Sequence, residues 1–286
     1  MRGGQHRIAV LSDLHGQLVA LQAVLDDLAA AGAEEIVVAG DMVNFGPCSR
    51  EVVDALRERG AKMVRGNHES ELVAPYGTAA MPLALASSLR YAGARWTCES
   101  LGPERRSFLA SLPDRLLLDE ATLVVHGSPR HVRDGVSAER TEAELEAMVA
   151  GEPARLVFSG HIHRPVIREL SASPERPLRR LVNVGSVGFP LDGNPHASYA
   201  LIERSPSGAP GEWRVEHRRV AYDVEAAIAA YDNGLRDAWP TREFVDLFTR
   251  SMRTGHDYFA RWLRENQDIP DDQIALSVRQ FLRVNP

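Results

Sequence analysis

Short apolar runs, each closed by a polar turn, alternate with stretches of helical spacing through about the first seventy residues. Ile8-Ala9-Val10-Leu11 reads as a buried strand that opens onto Asp13-Leu14-His15-Gly16. Leu18, Leu21, Val24, Leu25 and Leu28 then share one helical face, with Gly32 as a natural stop. A second strand, Glu35 to Ala39, ends on Gly40-Asp41, and a helix follows from about Arg50 to Arg59. The third strand, Ala61 to Arg65, opens onto Gly66-Asn67-His68-Glu69. Three strand–loop–helix units in succession predict βαβ architecture with right-handed crossovers.

The pattern is helical from Met81 to Leu112, and interruptions at Gly93 and Gly102-Pro103 predict two helices there. Arg115–Leu118 and Ala121–Val125 read as a hairpin that ends on His126-Gly127-Ser128-Pro129. A helix is expected over Thr141–Ala150, opened by Thr141 with Glu144 three residues on. Arg155–Phe158 is a strand running into Ser159-Gly160-His161-Ile162-His163. Arg180–Val184, Ala197–Glu203 and Trp213–Val220 complete a β-rich second half. From Val224 onward only short helical patterns remain, each too short to build a core alone. The expected division is a catalytic body over 1–221 and a helical extension over 222–286 packed on it. That extension is left with two roles, a cover for a cleft or a surface for self-association.

Composition changes this picture little. At 286 residues, 44% apolar and 25% charged, the chain is ordinary for a globular protein. The net charge of −6, without a long Lys/Arg run, argues against nucleic acid as the main partner. Cys48 and Cys98 lie in unrelated contexts and are expected as reduced thiols. Four apolar residues after the N-terminus are too few for a signal-peptide core, so a cytoplasmic location, with no membrane contact, is expected.

Chemistry concentrates at the strand ends, which carry Asp13 and His15, Asp41, Asn67 and His68, His126, and His161 and His163. Five of the ten histidines fall there. A single such residue is more often a turn former. Asp13-x-His15 and His161-x-His163 differ, because alternate positions in extended chain point to the same side and can reach one ion. Imidazole, carboxylate and amide oxygen together suit Mn, Fe, Ni, Co or Zn. Seven ligands exceed the need of one catalytic ion. Two ions about 3.5–4 Å apart, sharing a bridging carboxylate, fit better. Asp41, in the middle of the array, is the candidate bridge.

Asp-x-His, Gly-Asp, Gly-Asn-His-Glu, His-Gly and Gly-His-x-His, in that order from about Ile8 to Glu203, resemble the calcineurin-like metallophosphoesterases. Val-Arg-Gly-Asn-His, His-Gly-Ser-Pro and Asn183-Val-Gly-Ser-Val-Gly188 are similar to the small prokaryotic phosphodiesterase branch that includes YfcE-like enzymes. The resemblance implies an α/β fold, a four-layer αββα sandwich of two mixed sheets with the site at their strand ends. It implies one divalent ion held by Asp13, His15, His163 and bridging Asp41, and a second held by Asp41, Asn67, His126 and His161, manganese being favoured. It further implies a hydroxide between the ions that attacks phosphorus in line, with His68 assisting the leaving oxygen.

The chain departs from the protein-phosphatase and diadenosine-tetraphosphatase pattern Gly-Asp-x-Val-Asp-Arg-Gly. There the second Asp charges the catalytic His and the Arg grips phosphate. Here Asn44 and Phe45 stand instead, and both are candidate substrate-binding residues. Asn44 is expected as a neutral hydrogen-bond acceptor for His68, which favours imidazolium less than a carboxylate does. Loss of the Arg removes a clamp suited to a dianion. A small phosphodiester or nucleotide is therefore the expected substrate. The alternatives are a phosphomonoesterase, a dinucleoside polyphosphate pyrophosphohydrolase, and, from another class, a scaffold that keeps the fold without turnover. His131 and His196 read as solvated loop residues, and Leu191 stands where relatives often carry Arg.

Overall fold

The computed structural model describes residues 6–172, 178–205, 208–233, 235–238 and 242–285. Strand alternation sets its layers. In β1 (Arg7–Leu11), Ile8 and Val10 face one side and Ala9 and Leu11 the other. Parallel pairing joins β1 to β2 (Glu35–Val38), and β2 to β3 (Lys62–Met63). On its other edge β1 meets β9 (Ala197–Arg204) antiparallel, and β10 (Trp213–Val220) closes that sheet as β10-β9-β1-β2-β3. The second sheet is built from β4 (Arg115–Asp119), β5 (Thr122–Val125), β6 (Leu156–Ser159), β7 (Val166–Leu170) and β8 (Arg179–Asn183), in the order β4-β5-β6-β8-β7.

The two sheets face one another across a dry layer that includes Val10, Val37, Val124, Phe158, Val182 and Ile202. On the outer face of the first sheet, Leu11, Val38 and Leu201 pack against α1 (Leu18–Ala31), α2 (Ser49–Glu58) and a longer helix, α4 (Ala92–Ser111). A short α3 (Leu83–Ser87) precedes α4. On the outer face of the second sheet, Leu123, Val125 and Leu181 pack against α5 (Glu142–Met148). The order α, β, β, α is the expected four-layer sandwich. The capping box also forms, with Thr141 accepting from Glu144 N–H and Glu144 reaching back to the Thr141 N–H.

The C-terminal stretch holds α6 (Val224–Ala229), α7 (Leu235–Ala238), α8 (Arg242–Thr254), α9 (Phe259–Glu265) and α10 (Ile274–Val284). Together these short helices bury Tyr231, Phe244, Phe248, Trp262 and Phe281 in a shared cluster, which reaches the body through Phe189 and, half-buried, Phe45 and Trp96. Among the described residues, no helix is long and apolar enough to cross a membrane. Cys48 and Cys98 form no disulfide.

Three local expectations need correction. β7 was not foreseen. It is an edge strand, antiparallel to β8, that leaves Ile167 exposed and presents no clean apolar face. The third strand is shorter than expected: Lys62–Met63 pair with Val37 and Val38, the Val64 N–H still reaches Val38 O, and the Arg65 N–H turns to Pro113 O. Gly93 does not break the helix. It lies buried in the first turn of α4, whose single break is at Gly102 (φ 70°, ψ 169°), before Pro103.

Phe158 is fully buried between the sheets. Phe158→Ala should cost about 3–5 kcal/mol of stability, read as a lower urea midpoint.

Candidate metal centre

Every sequence-predicted site residue lies just beyond the end of a strand, and the backbone there is unusual. Among the described residues, the non-glycine positions with left-handed φ are Asp13 (53°), His15 (47°), Asp41 (54°), Asn44 (72°), Phe45 (65°), His161 (72°) and His163 (57°). Each costs on the order of 1 kcal/mol and persists only because its surroundings enforce it. Backbone bonds lace the loops together: the N–H groups of Asp13, His15 and Gly16 donate to the carbonyls of Gly40, Asp41 and Met42 at 3.1, 3.1 and 2.9 Å. Gly188 donates to Asp13 O and Gly160 to His126 O. The approach is close enough that a Cβ at Gly40 would lie 2.6 Å from Gly66 N and 2.7 Å from His126 Nδ1.

Glu69 anchors this arrangement. Its fully buried carboxylate accepts three backbone N–H groups, from Asp41 (2.9 Å), Met42 (2.9 Å) and Gly66 (2.8 Å). It thereby ties the end of β2 to the end of β3 and fixes where the Asp41 side chain emerges. Burial and the neighbouring Asp41 carboxylate raise its pKa to about 7. Glu69 also opens a single π-turn, Glu69–Val73, a form that recurs at functional sites.

Three imidazoles are oriented by carbonyls. Nδ1 of His15 meets Val43 O at 3.2 Å, Nδ1 of His126 meets Ala39 O at 2.7 Å, and Nδ1 of His163 meets Phe189 O at 2.6 Å. A carbonyl only accepts, so each ring donates from Nδ1 and, when neutral, presents a lone pair on Nε2. These lone pairs converge on other acceptors. His15 Nε2 and His163 Nε2 are 3.2 Å apart, and Asp13 Oδ1 lies 3.3 Å from the latter. Asp13 Oδ1 is buried without a hydrogen-bond partner, while Oδ2 accepts the His161 N–H at 2.9 Å. His126 Nε2 faces Asn67 Oδ1 at 3.1 Å and Asp41 Oδ2 at 3.2 Å. Such a cluster of buried electron pairs repels itself unless cations lie between its members. Its donor types suit divalent transition metals.

Three sets of side chains offer ligand atoms within 4.8 Å of one another: Asp13, His15 and His163; Asp41, His126 and His161; and His15, Asp41 and His68. Asp41 belongs to two of them. Its Oδ1 accepts the His68 N–H at 2.9 Å, and its Oδ2 is 3.9 Å from both His15 Nε2 and His68 Nε2. In the metal-free protein a proton substitutes for a cation. Burial opposes charge on His126, yet Asp41 and Asp13 outweigh it and push this imidazole up to about 10. His161 goes the other way, to about 4, because burial and a charged His126 both disfavour a second imidazolium.

The expectation for Asn44 is reversed in direction. Asn44 Nδ2 lies 2.9 Å from His68 Nδ1, so the amide donates and His68 keeps its own proton on Nε2, the nitrogen nearer Asp41. Phe45 packs between rings, 4.7 Å from His68, 5.0 Å from Phe248 and 5.5 Å from Phe259. The cleft over the site, about 550 Å³, is walled by Phe45, Phe189 and Leu191 of the body and by Phe248, Phe259 and Leu263 of the C-terminal helices. His131 and His196 are exposed, as expected.

Two site residues escaped sequence reading. Glu69 stands in the Gly-Asn-His-Glu run, and the sequence carries no signal of its role there. Arg133 lines the cleft next to His68 and forms a bidentate pair with Glu71 (Nε–Oε1 2.7 Å). Nothing in its polar loop announced this.

A model of the calcineurin-like phosphoesterase superfamily domain matches residues 7–206. The chain belongs to this superfamily. It is accordingly a metal-dependent phosphoester hydrolase. An uncharacterized protein of Methanocaldococcus jannaschii, MJ0912, is 29% identical over 244 residues, covering 77% of this chain and 89% of its own. Phosphodiesterase YfcE of Escherichia coli K12 is 36% identical over 76 residues, covering 23% of this chain and 41% of YfcE, which agrees with the YfcE-like branch. A metallophosphoesterase structure from Sphaerobacter thermophilus is 28% identical with a TM-score of 0.69, covering 88% of this chain and 100% of its own. Hypothetical protein PH1004 of Pyrococcus horikoshii has the same fold, at 22% identity, a TM-score of 0.67, and coverage of 88% and 99%. Both alignments extend past residue 206, so part of the C-terminal helical region of this superfamily member has counterparts.

Glu69→Ala should weaken metal affinity by roughly 10- to 100-fold although Glu69 offers no atom to the metal groups, as read by chelator competition with circular dichroism as the folding control. A second expectation follows from His126. Its folded, metal-free pKa, raised from 6.5 to about 10, means a proton competes with metal throughout that window. Affinity for Mn²⁺ should climb as pH rises from about 6.5 toward 10, with proton release on binding measured by calorimetry in two buffers.

Proposed function

We propose that this superfamily member is a two-metal phosphodiesterase acting on a small phosphodiester or nucleotide. In this reading Asp13, His15 and His163 hold one ion, Asn67, His126 and His161 hold the other, and Asp41 is shared. When bound, two such ions supply Lewis acidity and a water acidic enough to attack phosphorus near neutral pH. Asp41 is oriented for its role by Glu69 and by the His68 N–H. His68 assists the leaving group: the Asn44 amide at Nδ1 holds its proton on Nε2, from which the neutral ring donates a hydrogen bond to the departing oxygen as charge develops there. Phe45 and the other apolar residues over the cleft exclude water around the reacting phosphoryl group.

The observation that carries the diester preference is the surroundings of His68. An amide and a phenyl ring stand at positions 44 and 45, in place of a carboxylate and a guanidinium. A monoanionic diester needs less cationic help than a phosphomonoester dianion. One feature favours the second reading, a monoesterase or nucleotide pyrophosphohydrolase: Arg133 lines the cleft and would supply a guanidinium if it left Glu71.

The test is turnover after dialysis and reconstitution with Mn²⁺ or Ni²⁺. Bis-p-nitrophenyl phosphate should be cleaved with a kcat/KM at least about tenfold above that for p-nitrophenyl phosphate; the opposite order selects the second reading. Asp41→Asn should lose bound metal and activity together. His68→Ala should lower kcat by roughly 100-fold or more while metal content stays near that of the native protein. Loss of metal in that variant would instead assign His68 as a ligand.

A further inference from the structure

Beside the metal cleft, on the His68 side, lies a second cavity of about 370 Å³. It opens onto the cleft through shared residues: Phe45, Asn67, His68, Arg133, Phe259 and Leu263 line both. Its far walls come from two regions that are distant in sequence. Leu85 and Ala94 are contributed by α3 and α4, and Phe244 and Trp262 by α8 and α9.

The walls are ring-rich in a continuous run. Phe45 and Phe259 centroids are 5.5 Å apart, Phe259 and Phe244 6.3 Å, and Phe244 and Trp262 5.1 Å. Charge at the walls is largely paired, although Arg90 Nη1 is buried without a partner. Arg133 and Glu71 pair at the junction, and Arg90 Nη2 donates to the carbonyls of Asn266 and Ile269. The space is thus apolar, within the size range of small-ligand sites, and joined directly to a catalytic cleft.

Its position relative to the reaction identifies the occupant. In an in-line displacement the leaving oxygen departs opposite the attacking one. If attack comes from the Asp41 metal cluster and His68 Nε2–H hydrogen-bonds to the leaving oxygen, the substituent on that oxygen points past His68, where this slot opens. We propose that the slot binds the leaving group of the phosphodiester, and that this group is a flat aromatic ring. The inference rests on the phosphodiesterase reading above. Ring faces and edges favour an aromatic guest over a branched one, and Arg133 at the junction is held in its pair with Glu71.

The slot can be filled without disturbing the core. Ala84 lines it but is exposed on α3, and Phe259 is a half-buried wall. With Mn²⁺-loaded protein, kcat/KM is measured for diphenyl phosphate, thymidylyl-thymidine and bis(2,2,2-trifluoroethyl) phosphate. The expected result is a fall of about tenfold in Ala84→Trp for an aromatic-bearing ester, with less than a twofold change for the trifluoroethyl ester. Phe259→Ala should shift the same ratio in the same direction through KM. A fall confined to diphenyl phosphate assigns a plain aryl ring, and one shared by the dinucleotide assigns a nucleobase. Equal changes on all three esters, or no change on any, overturn the slot while leaving the diesterase reading intact. If the native enzyme cleaves p-nitrophenyl phosphate but no diester, the underlying reading fails and the slot inference falls with it.

Discussion

One buried carboxylate outside the candidate metal-ligand groups sets the geometry on which the rest depends. Glu69 gathers the N–H groups of Asp41, Met42 and Gly66, and so brings the ends of β2 and β3 to one point. A Cβ on Gly66 would run into the Asp41 carboxylate. Residue 66 must therefore be glycine for Glu69 to draw the strands this close. With that contact made, Asp41 takes left-handed backbone, its Oδ1 meets the His68 N–H, and its Oδ2 is presented to three imidazoles. Burying Glu69, Asp41 and Asp13 in one small volume is unfavourable unless positive charge is present. The fold itself makes the site a cation trap.

Strain and function coincide here in a way ordinary turns do not show. Left-handed φ occurs at Asp13, His15, Asp41, Asn44, Phe45, His161 and His163. Asp, Asn and His tolerate this region better than other non-glycine residues; a phenylalanine does not. The enforcement comes from the backbone ladder that continues past the strands, pairing Asp13, His15 and Gly16 with residues 40 to 42. These loops behave as extensions of the sheet rather than as surface connections. That is how side chains on loops acquire the fixed positions metal chemistry needs.

How much of this was legible in the sequence follows from the range of the interactions involved. The layers were readable because strand alternation is local: Ile8 and Val10 against Ala9 and Leu11 is enough to separate the two faces. The clustering of Asp and His at strand ends was readable, but the extended alternation expected of Asp13-x-His15 and His161-x-His163 does not hold: all four have left-handed φ, and His161 and His163 fall in different groups. β7 was not readable, since an edge strand with Ile167 in solvent needs no clean apolar face. The role of Glu69 was hidden because its partners are 27 and 28 residues away as well as three. Arg133 reaches the cleft from a loop held by local bonds among Ser128, Arg130, His131 and Asp134, but its partner Glu71 is 62 residues away. The direction of the Asn44–His68 bond could not be read either, because an amide offers both donor and acceptor and only the geometry chooses.

Asn44-Phe45 and the C-terminal helices, far apart in the chain, are two sides of one arrangement. Phe45 sits against Phe189, Phe248 and Phe259, with the last two supplied by α8 and by the first residue of α9. A guanidinium at position 45 would be buried among these rings and close to the buried Asp and His cluster. The desolvation cost would be large and the competition with metal direct. A phenyl ring there instead gains apolar contact on several sides and gives the helices a surface on which to close over the cleft. Adding the helices and losing the arginine are therefore physically coupled.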